Sequence, residues 1–153
     1  MSPGGIRSLS KIHETPYKID IRGQEFGLNY QPGESTSSLF GGNSNWRGPI
    51  WMPMNYLLVL SFKKYCDYYR GQCKVAFPAD SDNIISLSMV STQLAERLIS
   101  IFKKDENGKR LVHDTISQYQ NDSHFKDMVY FMNISMVIIA EVLVHRTKQD
   151  GLV

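Results

Sequence analysis

The chain has 153 residues, of which 42% are hydrophobic and 21% charged, an ordinary balance for a globular domain and unlike disordered or collagen-like chains. Its 17 basic and 15 acidic residues leave a formal charge of +2; they are interleaved, without the clustered Lys/Arg stripe of a phosphate-binding surface, which argues against a nucleic-acid partner. No stretch approaches the roughly eighteen continuous apolar residues of a membrane span, and MSPGGIRSLSK carries no apolar run behind its basic residues, so the expectation is a cytoplasmic chain with no membrane partner.

In chain order, the first patterned stretch is Tyr17 to Tyr30, where apolar and polar residues alternate on both sides of Arg22-Gly23-Gln24. Period-two alternation around a glycine turn predicts a short hairpin whose apolar face carries Ile19, Ile21, Phe26 and Leu28. Residues 31–45 are rich in Gly, Ser, Thr and Asn, and a connection of that length reads as either functional or mobile, with a binding loop the natural expectation. From Pro53 the apolar residues Met54, Leu57, Leu58, Phe62, Tyr65 and Tyr69 recur at threes and fours, which predicts a helix that starts at a proline and stops near Arg70-Gly71. A second helix is expected from Leu87 to Lys104, capped by Ser86, with Met89, Val90, Leu94, Leu98, Ile101 and Phe102 as its buried stripe. A third is expected after Ser123, carrying Phe125, Met128, Val129 and Phe131.

The chemistry-bearing residues are sparse. Cys66 and Cys73 stand seven apart across a helix end, which is neither a CxxC spacing nor a disulfide framework, so both are read as reduced. His13, His113, His124 and His145 lack the one-face spacing of a zinc motif, so neither a metal nor another cofactor is expected. Neither a GxSxG elbow nor a phosphate-binding glycine loop is present.

One segment has a specific chemistry, GGNSNWRGPIW from Gly41 to Trp51. Two indoles flank an arginine and a Gly-Pro corner directly before a helix. An indole face packs on the apolar C–H face of a pyranose, while Asn45 and Arg47 offer donors and acceptors to sugar hydroxyls. Gly48 and Pro49 would turn the backbone so that Trp46, Arg47 and Trp51 point the same way. The same residues also suit a loop whose tryptophans plug a helix end, with Arg47 reaching water.

The longer run FGGNSNWRGPIWMPMNYLL, Phe40 to Leu58, closely resembles the signature of glycoside hydrolase family sixty-three, in particular its microbial cytosolic members. Flanking segments agree: GIRSLSK from Gly5, the hairpin with YQPGEST from Tyr30 to Thr36, and the DENGKR turn from Asp105 to Arg110. The resemblance implies a mainly α chain, part of an (α/α)6 toroid with a small β-hairpin, from an enzyme that removes an α-linked sugar with inversion. It also implies a sugar subsite at Asn45, Trp46, Arg47, Gly48 and Trp51, with the two indoles as stacking walls and Arg47 as a hydroxyl clamp. The ligand would be an α-linked glucoside or related oligosaccharide; further partners would be the missing part of the toroid or a second copy of the chain.

Inversion needs a carboxylic acid for the leaving oxygen and a second carboxylate to activate water on the opposite face of the ring. In the resembled family the acid is an Asp upstream of the hairpin region, which places it before Met1. The base Glu falls where this chain has Asn133, and an amide cannot take up the water's proton. The expectation is therefore a fragment without catalytic residues. The alternatives are a stand-alone, noncatalytic carbohydrate-binding or interaction module, and an enzyme that recruits Glu34, Glu25 or Asp20 instead.

Residues 1–131 follow the resembled pattern, and residues 132–153 do not. Codons can be chosen for Met132 to Val153 that, shifted by one nucleotide, spell YEYFHGDNCRGVGASHQTGWTG, the family's own ending. A single-base deletion just after Phe131 would produce that tail. Sequencing the gene across this point is expected to recover the displaced reading, and an unbroken frame in independent reads, with no such reading, would exclude it.

Overall fold

The computed structural model describes residues 2, 4–32, 46–79, 81–113 and 116–129. Ser10 opens a short 3-10 turn, Lys11–Glu14, by accepting a hydrogen bond from the Ile12 amide. Strands β1 (Tyr17–Ile21) and β2 (Gln24–Leu28) then form the expected hairpin, antiparallel, with Ile19 opposite Phe26 and Asp20 opposite Glu25. Arg22 and Gly23 both take positive φ, 57° and 80°, the twist that lets a two-residue turn match right-handed strands. The Asp20 carboxylate accepts from the Gly23 amide at 3.0 Å and closes the turn. The hairpin's apolar face is not packed: Ile19, Ile21 and Phe26 are all exposed.

Helix α1 (Met52–Tyr68) begins with Pro53 in its first turn, where a missing N–H costs nothing. It ends as Arg70 and Gly71 turn into the left-handed region and the Gly71 amide returns to the Cys66 carbonyl at 2.9 Å, a common way of satisfying the last carbonyls. A second antiparallel pair follows, β3 (Lys74–Ala76) with β4 (Ile84–Ser86). Helix α2 (Leu87–Ser100) starts directly from β4, and Ser86 caps it as expected, its Oγ accepting from the Met89 amide at 3.3 Å. A 3-10 turn, Leu111–His113, and a one-turn helix α3, Ser117–Asn121, complete the described elements.

The core lies between α1 and α2. Ile50, Leu94, Leu98, Ile101 and Val112 form its buried centre, flanked by Ile6, Met52, Val59 and Phe62. A smaller cluster of Phe77, Ile85 and Val90 sits under the β3–β4 pair. The Ser91 hydroxyl ties the two helices by donating to the Val59 carbonyl at 2.9 Å, so a polar group inside the contact is satisfied.

The (α/α)6 expectation is overturned. The described residues form three α-helices, one of them a single turn, and two separate two-stranded antiparallel sheets. A helical ring needs each helix covered on both sides by other helices. Here one helix pair carries the core, and strands occupy the stretch between them. Helix α2 also stops at Ser100 rather than Lys104. The chain beyond it bends into the DENGKR turn, where the Asp105 carboxylate accepts from the Asn107 and Lys109 amides at 2.9 and 2.7 Å. No helix follows Ser123 among the described residues. Asp122 accepts the His124 amide on its side chain at 2.7 Å and the Lys126 amide on its carbonyl at 2.9 Å, the cap and bond of one helical turn that is not extended into a helix through Val129. Phe131 and the tail from Met132 lie outside the described residues. Among the described residues no helix is long and apolar enough to cross a membrane.

His113 is buried at the foot of the core, its ring tilted against Tyr119 at 5.4 Å. Burial pushes its pKa below the ordinary histidine value and the neighbouring Arg110 charge adds to this, opposed by a backbone hydrogen bond at Tyr119. A histidine whose folded-state pKa is lowered binds its proton first in the unfolded chain, so stability falls as pH drops through the ordinary histidine range. The urea midpoint is expected to decline between about pH 7 and about pH 5, and to decline less in His113→Gln. Equal pH slopes in the two proteins would show that His113 is not the group responsible.

Candidate sugar-binding site

The segment Trp46 to Trp51 is held from below by the N-terminal strand-like arm. Arg7 and Ile50 form an antiparallel bridge, and the Ser8 amide donates to the Pro49 carbonyl at 2.9 Å. The Ser8 hydroxyl accepts from the Gly48 amide at 3.0 Å, while an Arg7 guanidinium N–H donates to the Gly48 carbonyl, also at 3.0 Å. Both backbone groups of Gly48 are therefore occupied. Its φ is 145°, and a Cβ built there would come within 2.8 Å of the Tyr30 ring and 3.0 Å of the Pro32 backbone. The ring could shift, but the proline backbone could not, so the corner requires glycine. The Arg7 guanidinium also lies over the Tyr30 ring at 5.9 Å, which links the arm to the end of the hairpin.

Asn55 fastens this arrangement to the helix. The residue is only 1% exposed. Its side-chain carbonyl accepts from the Ile6 amide at 2.8 Å, and its NH2 donates to the Ile6 carbonyl at 2.8 Å and to the Trp51 carbonyl at 2.9 Å. The amide thereby imitates a strand neighbour for Ile6 and reinforces the first bond of α1, since the Trp51 carbonyl also accepts the Asn55 backbone amide at 3.0 Å. Gly5 lies against it, with φ 133° and space too tight for a Cβ.

The expected site residues divide into two groups. Trp46 and Trp51 are brought together, with ring centroids 4.3 Å apart and planes tilted by 37°. They stack on each other. Two walls gripping one sugar would stand roughly 7 to 8 Å apart, twice a van der Waals contact, so this pair offers a single platform. Trp46 is 58% exposed and forms its open side, while Trp51 is half-buried behind it. Arg47, by contrast, is fully buried. Its carbonyl accepts from the Gln31 amide, and a residue with no exposed surface does not reach solvent beside Trp46. Gly48 shapes the corner, while Asn45 and Asn133 lie outside the described residues.

The remaining carboxylates have structural partners. Glu25 pairs with Lys18 at 2.8 Å on the hairpin surface, and Asp20 closes the hairpin turn; Glu34 lies outside the described residues. Among the described residues no three His, Cys, Asp or Glu side chains stand together as a metal site would require. Asn55, Arg7 and Ser8 were not legible as site residues from the sequence. The available signal was a polar residue at 55 on the same helix side as Met52, Val59 and Phe62, a position that demands an internal partner.

A protein of Saccharomyces cerevisiae, "Uncharacterized protein YMR196W", is 43% identical to the chain over 134 residues, which span 86% of the chain and 12% of that protein. The chain thus corresponds to a small part of the length of this relative. No protein-family profile matches the chain, and no solved structure matches it.

Proposed function

We propose that the chain is a sugar-binding piece of an inverting α-glycosidase of the family sixty-three type, which holds an α-linked glucoside or related oligosaccharide on the Trp46 face without hydrolysing it. The observation that carries this reading is the exposed Trp46 indole, backed at 4.3 Å by Trp51 and set at the start of α1 by the Gly48 corner. A flat apolar ring held rigidly at a surface is what the C–H face of a hexose packs against. Because Trp51 supports it from behind, ordering the platform costs little on binding. Arg47 serves from inside the loop, where it shapes the segment between the indoles.

With one wall instead of two, affinity is modest, on the order of millimolar. The Asn55 amide, the Gly48 corner and the resemblance of the GGNSNWRGPIW segment all bear on the same few residues. Glu25 and Asp20 are engaged elsewhere, and Asn133 replaces the expected base, which supports binding without turnover. A second reading, a noncatalytic module that stands alone, is favoured by the closed cluster of Ile50, Leu94, Leu98, Ile101 and Val112. Both readings place the sugar on Trp46.

Titration with maltose, followed by indole fluorescence and by the Trp46 ring resonances, is expected to show saturable binding in the millimolar range. In Trp46→Ala the binding should be lost while the circular dichroism spectrum is retained. Undiminished binding in that variant, or none by the wild-type chain at about 100 mM sugar, would refute the assignment. Release of glucose above background would refute its noncatalytic part.

A further inference from the structure

Helix α1 is apolar on the side turned away from α2. Asn55, Val59, Phe62 and Met52 occupy the inner side, yet Met54, Leu57, Leu60, Tyr65 and Tyr68 are between 40% and 78% exposed. A run of large apolar side chains of that length along one exposed helix face is built to be covered. We propose that this outer face is the contact surface of a homodimer, in which two copies of α1 pair antiparallel about a two-fold axis beside Ser61.

The residue order itself favours a second copy as the occupant. Leu57 and Tyr65 stand four residues to either side of Ser61, and Met54 and Tyr68 stand seven, so all five share one face at helical spacing. With a uniform rise per residue, an antiparallel partner centred on Ser61 sets Met54 level with Tyr68 of the other copy and Leu57 level with Tyr65. Each large side chain thus meets a large partner, and the small Ser61 sits at the centre, where the helices approach most closely. Its hydroxyl is already satisfied by the Leu57 carbonyl at 2.8 Å, so covering it strands no donor. This is the self-complementarity an isologous contact requires.

The area and charge agree. The four paired apolar side chains, Met54, Leu57, Tyr65 and Tyr68, present roughly 500 Å² per copy, so pairing removes roughly 1,000 Å², the least a specific interface should clear. Lys64 is the single charged residue within the stripe, and its stem can lie along Leu57 and Leu60 with the ammonium in water. An interface of that size fits a dimer in the micromolar range.

Sedimentation velocity of the full chain from about 1 to about 300 μM is expected to show the mass rising from 17.5 kDa to twice that value. Leu57→Glu and Tyr68→Glu, both at exposed positions, should hold it at the monomer mass with an unchanged circular dichroism spectrum, while Tyr56→Glu, off the stripe, should not. In a Cys66→Ser/Cys73→Ser background, Ser61→Cys should form a disulfide-linked dimer on mild oxidation and Tyr56→Cys should not. A monomer at every concentration would overturn the proposal and leave the face to another segment of a longer polypeptide. A dimer indifferent to Leu57→Glu, or open-ended assembly beyond two copies, would overturn it equally.

Discussion

The arrangement depends on one buried amide. Asn55 bonds both backbone groups of Ile6 and the carbonyl of Trp51, and so joins the N-terminal arm, the indole loop and the first turn of α1 at a single point. Around it the fit is tight: Gly5 has no room for a Cβ beside Asn55 and Leu98, and Gly48 has none beside Tyr30 and Pro32. Burying a side-chain amide is costly unless its bonds are made. Here three are made: two satisfy the backbone of Ile6, and the third adds a second donor to the Trp51 carbonyl, which also accepts the Asn55 backbone amide at 3.0 Å. The loop from Trp46 to Trp51 therefore takes its shape from the arm and the helix together.

That shape determines what the indoles can do. Packed at 4.3 Å with their planes tilted by 37°, they leave Trp46 outermost, while Arg47 is buried. On the proposed function, a sugar on the Trp46 ring would be held through its apolar face with its hydroxyls largely in water. Discrimination between sugars would be weak, because discrimination grows from buried polar groups that the wrong ligand leaves unpaired. The outer side of α1, a helix that begins at this platform, is a second apolar surface with a different geometry, long and self-complementary where the platform is compact.

Much of the local structure was legible in the sequence, for physical reasons. The hairpin at Tyr17–Leu28 announced itself by alternation around Arg22-Gly23, and α2 by Ser86 followed by a stripe of Val90, Leu94 and Leu98. The pair β3–β4 was not legible, because three residues are too few to show a period and Ile84-Ile85 runs directly into the helix stripe. The stretch after Ser123 has helix-like apolar spacing and a capping Asp122, yet makes only one helical turn among the described residues, an extent that spacing cannot express. The ring architecture implied by resemblance fails on what the intervening segments do, since strands and turns fill the stretches between the helices. At the site, the residues around the Gly-Pro corner were found by their chemistry, whereas their mutual placement was not. Which indole is exposed, and that the arginine turns inward, is set by long-range bonds from Arg7, Ser8 and Asn55.

The Asn55 amide locks the arm to the helix. Amide hydrogen exchange at Ile6, whose N–H donates to Asn55, measures this most directly. If the lock holds, the Ile6 amide exchanges at least roughly a thousandfold more slowly than an unstructured amide, alongside the core amides of α2. An Ile6 amide that exchanges as fast as free chain, while Leu94 and Leu98 remain protected, would contradict the account.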